Sequence, residues 1–288
     1  MRKSKFVRIQ VKIAKLPLNL PGFSGILEAT RVPTMEISEP TPTLSSPSVN
    51  LKESPNASAT TEDFEFAALS VADNYRKALL REFAGYLRGN VLEVGAGIGQ
   101  ITEALVEKRD IKRFVSIEPD SSFHSQLLEK FPGHTVVRGT IEDLKGAGDW
   151  DAVVSINVLE HIKDDERELK NYHAHLLKNS GALCLFVPAR MEIYAHIDKD
   201  FGHFRRYARP ELRRKLERAG FEVVRLRYYN VAGYFAWWLN FCLLKKRHFN
   251  AGSVRLFDRF IFPVVHGFES RICAPFVGQS LLAIARAK

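Results

Sequence analysis

Apolar residues follow two periods along the chain, and from about residue 74 these periods alternate. Short apolar runs typical of buried strands are separated by segments of helical spacing. The predicted strands are 90–94, 114–117, 135–137, 150–156, 182–187, 221–227 and 280–284. The predicted helices are a segment around Leu79–Leu87 and then 100–108, 121–130, 165–178 and 210–219. This alternation predicts an α/β fold, with a mostly parallel sheet covered by helices on both faces.

The pattern is absent at the start of the chain. Residues 33–62 are rich in Pro, Ser, Thr and Asn, a composition that buries too little apolar surface to offset chain entropy. We therefore predict a disordered extension over 1–62 and a single domain over 63–288. The basic residues before Pro33 leave two interpretations open, a transit peptide or a start of translation at Met35.

The pattern also changes between residues 228 and 278. This stretch is aromatic, contains a basic cluster at Lys245–Arg247, and is too interrupted for a membrane span. An amphipathic segment of this kind fits a cap over a site, the face of a homodimer or an interfacial membrane anchor. We therefore predict a protein of the cytoplasm, with peripheral membrane contact as one use of this segment.

The charge distribution and the cysteine content limit the classes of ligand and partner that the chain can be expected to bind. The net charge of +9 arises mainly in the last third, where residues 201–288 carry 17 basic and 5 acidic side chains. The middle of the domain is mildly acidic, whereas a duplex-binding fold more often shows one basic stripe across it. Three cysteines without metal-ligand spacing exclude a disulfide scaffold and indicate no metal site. We therefore do not expect nucleic acid or a metal as a partner.

A glycine-rich turn follows the first strand, in the order Val91-Leu92-Glu93-Val94-Gly95-Ala96-Gly97-Ile98-Gly99. Glycine lets the backbone approach a ligand closely, and the following helix N-terminus favours an anionic group. The spacing differs from the G-x-G-x-x-G of dinucleotide sites, and Glu93 has the wrong charge to lie beside a pyrophosphate. The negative charge of Glu93 suits a ligand with an ammonium and a sulfonium group. Glu118 ends the second strand, where a carboxylate can accept both ribose hydroxyls.

These motifs resemble the class I S-adenosylmethionine-dependent methyltransferases. Five segments match the family's motifs and follow in the family's order. They are VLEVGAGIG at 91–99, SIEPD at 116–120, GTIEDL at 139–144, DAVVSINVLEHI at 151–162 and LLKNSGALCLFVPA at 176–189. The resemblance implies a doubly wound, seven-stranded, Rossmann-like sheet with an antiparallel last strand, and S-adenosylmethionine as cofactor. It assigns the cofactor contacts to Tyr75, Glu93, Gly95, Ala96, Gly97, Gly99, Glu118, Pro119, Thr140, Ile141, Glu142 and Asn157. Thr140 stands where many relatives have Asp, so Glu142 or Asp143 is left as the substitute partner of the adenine amine.

A second segment of interest is Asp198-Lys199-Asp200-Phe201-Gly202-His203-Phe204-Arg205-Arg206-Tyr207. It resembles a signature of one methyltransferase subgroup often found beside glycosyltransferases. His203 is the candidate general base for an acceptor hydroxyl or amine, because its ordinary pKa lies near neutral. The alternative is a structural histidine that holds its loop through Asp198. Arg205 and Arg206 fit either an anionic group on the acceptor or ion pairs with Asp198 or Asp200.

The sequence makes predictions for four further residues near the site. Tyr207 is predicted to stack or hydrogen-bond at the pocket mouth, and Asp120 to contact the ligand or cap the helix beginning at Ser121. Glu160 and His161 are adjacent, so we expect their side chains to point apart rather than act as a pair.

The sequence thus predicts methyl transfer to an oxygen or nitrogen nucleophile of a small-molecule, glycan or lipid-linked acceptor. Two other functions stay open: an RNA-modifying methyltransferase, suggested by the basic last third, and a non-catalytic protein that binds the cofactor.

Overall fold

A computed structural model describes residues 71–144, 149–246, 250–271 and 275–288 of the 288-residue chain. The predicted extension, 1–62, lies outside the described residues and stays a prediction, as does the domain boundary at 63.

The strands that the hydrophobic pattern predicts are all present, most of them one to three residues longer than predicted. They are β1 Gly89–Val94, β2 Ile111–Glu118, β3 Thr135–Arg138, β4 Ala152–Ile156, β5 Ala182–Pro188, β6 Phe221–Tyr229 and β7 Ser280–Ala287. They form one seven-stranded sheet in the order β3-β2-β1-β4-β5-β7-β6. β7 runs antiparallel to β5 and β6, and the other neighbours pair in parallel. The doubly wound, mostly parallel fold is therefore confirmed.

The helices agree less closely with the prediction. They are α1 Asp73–Phe83, α2 Thr102–Leu105, α3 Ser121–Lys130, α4 Asp165–Leu176, α5 His196–Asp200, α6 Arg209–Arg218, α7 Val231–Trp237, α8 Ala251–Leu256 and α9 Phe262–Arg271. α3 has the predicted bounds. The helix predicted over 100–108 is wrong in length, because the turn that leads into β2 begins early: the amide of Ile111 donates to the carbonyl of Lys108 at 3.0 Å. α4 also ends early, and its predicted last residues form a tighter turn at Leu177–Asn179.

Alternate strand residues pack on opposite faces of the sheet, as the pleat requires. On one face, Leu92, Val153 and Leu185 pack with residues of α4 and α6. On the other face, Val91, Val154 and Phe186 pack with α1 and with Phe262 of α9. Both faces are thus buried, as expected for a parallel sheet between helical layers.

The segment between β6 and β7 lies over the carboxyl end of β5. This follows from the register, which pairs Ser280 at the start of β7 with both Pro188 at the end of β5 and Tyr229 at the end of β6. We call residues 231–246 and 250–271 the cap. Its helices include π-helical turns at Trp238–Leu243 and Phe257–Ile261. Among the described residues, no helix is both long enough and apolar enough to cross a membrane.

Two buried carboxylates connect the cap to the rest of the domain. Asp258 accepts hydrogen bonds from the amides of Asn74 (3.0 Å) and Tyr75 (2.8 Å), at the start of α1. Glu269 accepts from the amides of Asn230 (3.1 Å) and Val231 (2.6 Å), at the start of α7. A carboxylate that accepts from these otherwise unsatisfied amides stabilises a helix N-terminus. Both acids therefore fix the position of the cap above the sheet edge.

Candidate active site

The glycine-rich turn takes a backbone shape that side chains disfavour. Gly95, Gly97 and Gly99 have φ values of +75°, +54° and +81°, in the left-handed region. A Cβ at Gly95 would lie 2.4 Å from Cγ2 of Val158, so the turn packs directly against the segment after β4. The amides of Gly95 and Ala96 donate to the carbonyl of Ile117 in β2. We call this compact turn, which packs against the end of β2 and the segment after β4, the glycine cradle.

Glu118 holds this cradle against the end of β2. Its carboxylate accepts from the amide of Gly97 at 2.7 Å and from the amide of Asp120 at 2.9 Å. Burial raises the pKa of Glu118, and these two donors partly oppose the shift. A carboxylate offers about four acceptor positions, so two amides leave capacity for ribose hydroxyls. Asp120 caps α3, accepting from the amides of Ser122 and Phe123, which bears out the capping interpretation of that residue.

Glu93 is buried between β1, β2 and α2. The hydroxyls of Thr102 (2.7 Å) and Ser116 (2.6 Å) both donate to its Oε2. The hydroxyl of Ser116 also lies 2.8 Å from Nε2 of His134. Desolvation raises the pKa of Glu93 to about 7, although the two hydroxyls lower it. This carboxyl is therefore poised to change its charge near neutral pH.

The raised pKa of Glu93 predicts a pH dependence of stability. The pKa of Glu93 in the folded protein exceeds its ordinary value of 4.5, so between these two values the folded protein holds a proton that the unfolded chain has released. The resulting stabilisation is fully present below about pH 4.5 and is lost as pH rises through about 7. Relative to Glu93→Gln, the free energy of unfolding of the wild type should fall by up to about 1.4 kcal/mol per pH unit between about pH 5 and 7. Urea unfolding across this range measures the difference. Glu103→Gln, an exposed change on α2, is the control, and a pH-independent difference for Glu93→Gln would contradict the assignment.

The predicted adenine segment forms a tight turn after β3. Thr140 and Asp143 bond reciprocally, with the amide of Thr140 donating to Oδ2 of Asp143 at 2.7 Å. Glu142 is bound by Arg167 and by Asn171 of α4, and these bonds lower its pKa. Ile141 is fully buried. Both carboxylates thus have protein partners here, and the contact to an adenine amine stays a prediction, as does a contact from Pro119.

A cavity of about 370 Å³ lies between the sheet edge and the cap. It is lined from below by Tyr75, Asn157, Glu160, His203 and Arg206, and from above mostly by apolar residues of the cap. Asn157 has a φ of +54°, which turns the chain sharply at the end of β4. The ring of Tyr75 meets those of Phe186, Tyr229 and Phe262 edge-on, at centroid distances of 5.1–6.1 Å. The cavity is therefore mainly apolar, with a few polar groups on one wall.

His203 is the histidine on this wall, and an imidazole can accept and release a proton. It is 7% exposed, and its Nδ1 lies 3.0 Å from Oδ1 of Asp198. Because a carboxylate only accepts, Nδ1 donates this bond and Nε2 is left as the basic nitrogen. Nε2 lies 4.0 Å from Oε1 of Glu160. Asp198 also accepts from Nε of Arg206 at 2.7 Å and from the amide of Ala195 at 2.8 Å. The His203–Asp198 pair has the arrangement of an oriented general base.

The structure brings together a group that the sequence did not predict. Glu160 is buried and His161 exposed, as their adjacency implied. His203 nevertheless reaches both, with its ring 4.7 Å from that of His161, and the ligand atoms of all three lie within 4.8 Å of one another. A Glu and two His could hold a divalent cation. Sequence spacing could not reveal this group because His203 comes from a separate loop, more than forty residues further along the chain.

Two predicted roles in the segment after His203 are corrected. Tyr207 is fully buried against the sheet and does not line the cavity; its hydroxyl donates to Oδ2 of Asp165 (2.8 Å) and contacts the carbonyl of Leu159 (3.3 Å). Arg205 pairs with Asp165 at 2.8 Å and donates to the carbonyl of Lys163, so it also points away from the cavity. Adjacent residues of an extended segment alternate in direction, and of residues 205–207 only Arg206 points towards the cavity.

Arg206 does line the cavity, but as part of its wall. Its side chain is 1% exposed, it pairs with Asp198, and its guanidinium lies 4.4 Å from the ring centre of Trp237. These contacts favour the ion-pair interpretation over binding of an anionic acceptor. Asn230, with φ of +63°, also lines the cavity and bonds Gln279 at 2.9 Å. Sequence reasoning missed Asn230; an Asn just before a helix, a typical N-cap, was the available signal.

Comparisons with known proteins agree with this architecture. A family described as a methyltransferase domain matches residues 65–226. A chain from the complex between the Haloferax volcanii Trm112 methyltransferase activator and a methyltransferase is 15% identical, with a TM-score of 0.53 over 79% of this chain and 97% of that one. An S-adenosylmethionine-dependent methyltransferase from Archaeoglobus fulgidus is 21% identical, with a TM-score of 0.51 over 78% of this chain and 100% of that one. Likeness at these identities shows the fold alone.

One curated relative also matches. Polyketide synthase PksR of Bacillus subtilis (strain 168) is 27% identical over 167 residues, which is 50% of this chain and 6% of that protein. The similarity is thus confined to a small part of a much longer enzyme.

Proposed function

We propose that this chain, which belongs to the family of methyltransferase domains, transfers a methyl group from S-adenosylmethionine to an oxygen or nitrogen nucleophile of a small-molecule, glycan or lipid-linked acceptor. The observation that carries the proposal is the junction of two features. One is the glycine cradle held by Glu118, and the other is an apolar cavity whose wall carries an oriented histidine.

The cradle fits the cofactor. Its backbone is held by Glu118, which lies where a carboxylate can accept ribose hydroxyls. Glu118, and Glu93 in its ionised form, supply negative charge near a ligand that carries a sulfonium and an ammonium group. When bound, S-adenosylmethionine supplies an electrophilic methyl group attached to a positively charged sulfur.

The cradle and the cavity meet at the end of β4. Val158 packs against Gly95 on the cofactor side, and the preceding residue, Asn157, lines the cavity. Asn157 and Val158 would therefore hold the methyl-bearing end of the cofactor beside the cavity. The chain's main contribution is to orient the acceptor there and to exclude water, since alignment of reactants supplies much of the rate in displacement reactions.

His203 completes the acceptor side. Its Nε2 takes the proton from an acceptor hydroxyl, while Asp198 keeps the ring in the required tautomer and stabilises the imidazolium that results. Arg206 donates to the same carboxylate and so holds Asp198 in place beside the imidazole. An acceptor amine that is already unprotonated needs this base less, so the requirement for His203 reports on the acceptor atom.

Transfer of label tests the proposal. The full chain is incubated with S-adenosylmethionine labelled in its methyl group and with lipid, glycan, small-metabolite and RNA fractions of the source cells. It should label a compound in one of the first three fractions. S-adenosylhomocysteine should form in equal amount. An RNA product would favour the alternative of an RNA-modifying enzyme. Tight binding of S-adenosylmethionine with no S-adenosylhomocysteine from any fraction would favour a non-catalytic binding protein.

A further inference from the structure

The outer face of the cap carries two rows of exposed apolar side chains. Along the continuous helix from α8 to α9, Leu256, Phe260, Val264 and Phe268 follow at four-residue intervals and are 59–63% exposed. In the helix that begins with α7, the exposed residues are Phe235, Trp238, Leu239 and Leu243. Residues spaced by three or four lie on one face of a helix. Single exposed apolar residues are ordinary, but rows of this kind mark a contact surface.

The charges of the cap are sorted between its two sides. Its acidic side chains among the described residues, Asp258 and Glu269, are buried and bonded to helix N-termini. The basic side chains Lys245, Lys246, Arg255 and Arg259 are exposed. Arg255 and Arg259 directly precede Leu256 and Phe260, so cations flank the apolar row. The outer face therefore combines apolar area with positive charge and carries no acidic side chain among the described residues.

The cavity reaches this same face. Leu256 and Ile261 line the cavity and are also 59% and 46% exposed, so they form part of its mouth. Trp237 and Phe241 of the cap continue the apolar lining inwards, towards His203 and Asn157. An apolar chain could thus pass from the outer face into the cavity along the apolar side chains on this side of the mouth.

We propose that the outer face of the cap docks on an anionic lipid bilayer and that the acceptor enters the cavity from this bilayer through the mouth at Leu256 and Ile261. The acceptor would then be lipid-linked, a statement that rests on the proposed methyltransferase function. Basic residues beside apolar ones are typical of interfacial helices that bind acidic head groups. A symmetric contact between two copies of the chain is disfavoured, because it would bring the same cations together.

Vesicle binding of the full chain tests the docking without using activity. The chain should float with vesicles of phosphatidylcholine and phosphatidylglycerol at low salt, and less so with phosphatidylcholine alone or at high salt. Arg255→Glu/Arg259→Glu should lower the partition coefficient at least about tenfold, since each basic residue near the surface contributes to binding. Phe260→Ser/Phe268→Ser should also lower it. The matched control is Lys170→Glu/Arg214→Glu, with the same charge change on α4 and α6, and the control for the apolar pair is Leu128→Ser on α3.

The outcomes are separable from those of the proposed function, because S-adenosylmethionine affinity is measured on the same proteins and should be unchanged in all variants. Absence of binding to anionic vesicles, or equal losses in the cap and control variants, would overturn the docking. So would sedimentation of the wild type as a dimer that Phe260→Ser/Phe268→Ser disperses, since the face would then be an interface between copies.

Discussion

Replacing His203 by alanine is expected to lower kcat by about 10²–10⁴-fold while the affinity for S-adenosylmethionine stays close to that of the wild type. The reason is that His203 lies on the cavity wall with Nδ1 bonded to Asp198, which makes Nε2 the proton-accepting nitrogen of the neutral ring. The part of the pH dependence of kcat that arises from His203 should disappear with it. Steady-state kinetics with the acceptor identified by methyl labelling measures both effects. His196→Ala, an exposed change in α5, is the matched control.

The structural alternative for His203 makes a different prediction. If the ring only braces its loop, His203→Asn, which keeps a hydrogen-bond donor, should retain most of the activity. Near-normal turnover in that variant would contradict the role of base. Asp198→Ala cannot separate the two, because it would leave the buried Arg206 without its carboxylate, a change that typically costs about 3–5 kcal/mol of stability.

The features that local sequence predicted well depend on neighbours close in the chain. α3 has its predicted bounds because Asp120 caps its first turn and the chain leaves it at Phe131-Pro132-Gly133. The glycine turn was predicted from residue type and spacing alone. The order of strand and helix followed from two short periods.

The features that could not be predicted depend on residues far apart in the chain. Asp258 bonds the amide of Asn74, 184 positions away, and no local pattern marks that partner. In the segment 205–207, only the packing of the sheet and the cap decides which side chain points inwards. The sequence placed Tyr207 at the pocket mouth, whereas its hydroxyl bonds Asp165 in the interior. The aromatic run of the cap has no clear period, so its helices were not resolved into elements.

The second large effect concerns Glu118. Glu118→Ala should remove two charge-assisted hydrogen bonds to ribose, each contributing about 1.5–3 kcal/mol. This corresponds to a loss of affinity of at least about a hundredfold. The change also removes the acceptor of the Gly97 amide and loosens the cradle. Glu118→Gln keeps an acceptor oxygen without the charge, so its affinity for S-adenosylmethionine should lie between those of the wild type and Glu118→Ala. Glu129→Ala, an exposed change on α3, is the control, and melting temperatures of all variants report on folding.

Calorimetric titration of the full chain tests the central claim, that the glycine cradle and Glu118 bind S-adenosylmethionine. The account predicts that the wild type and Glu129→Ala bind S-adenosylmethionine and S-adenosylhomocysteine but not NAD, and that Glu118→Ala, still folded, binds both of these ligands at least about a hundredfold more weakly. Binding of NAD in their place, or an unchanged affinity for S-adenosylmethionine in Glu118→Ala, would contradict it.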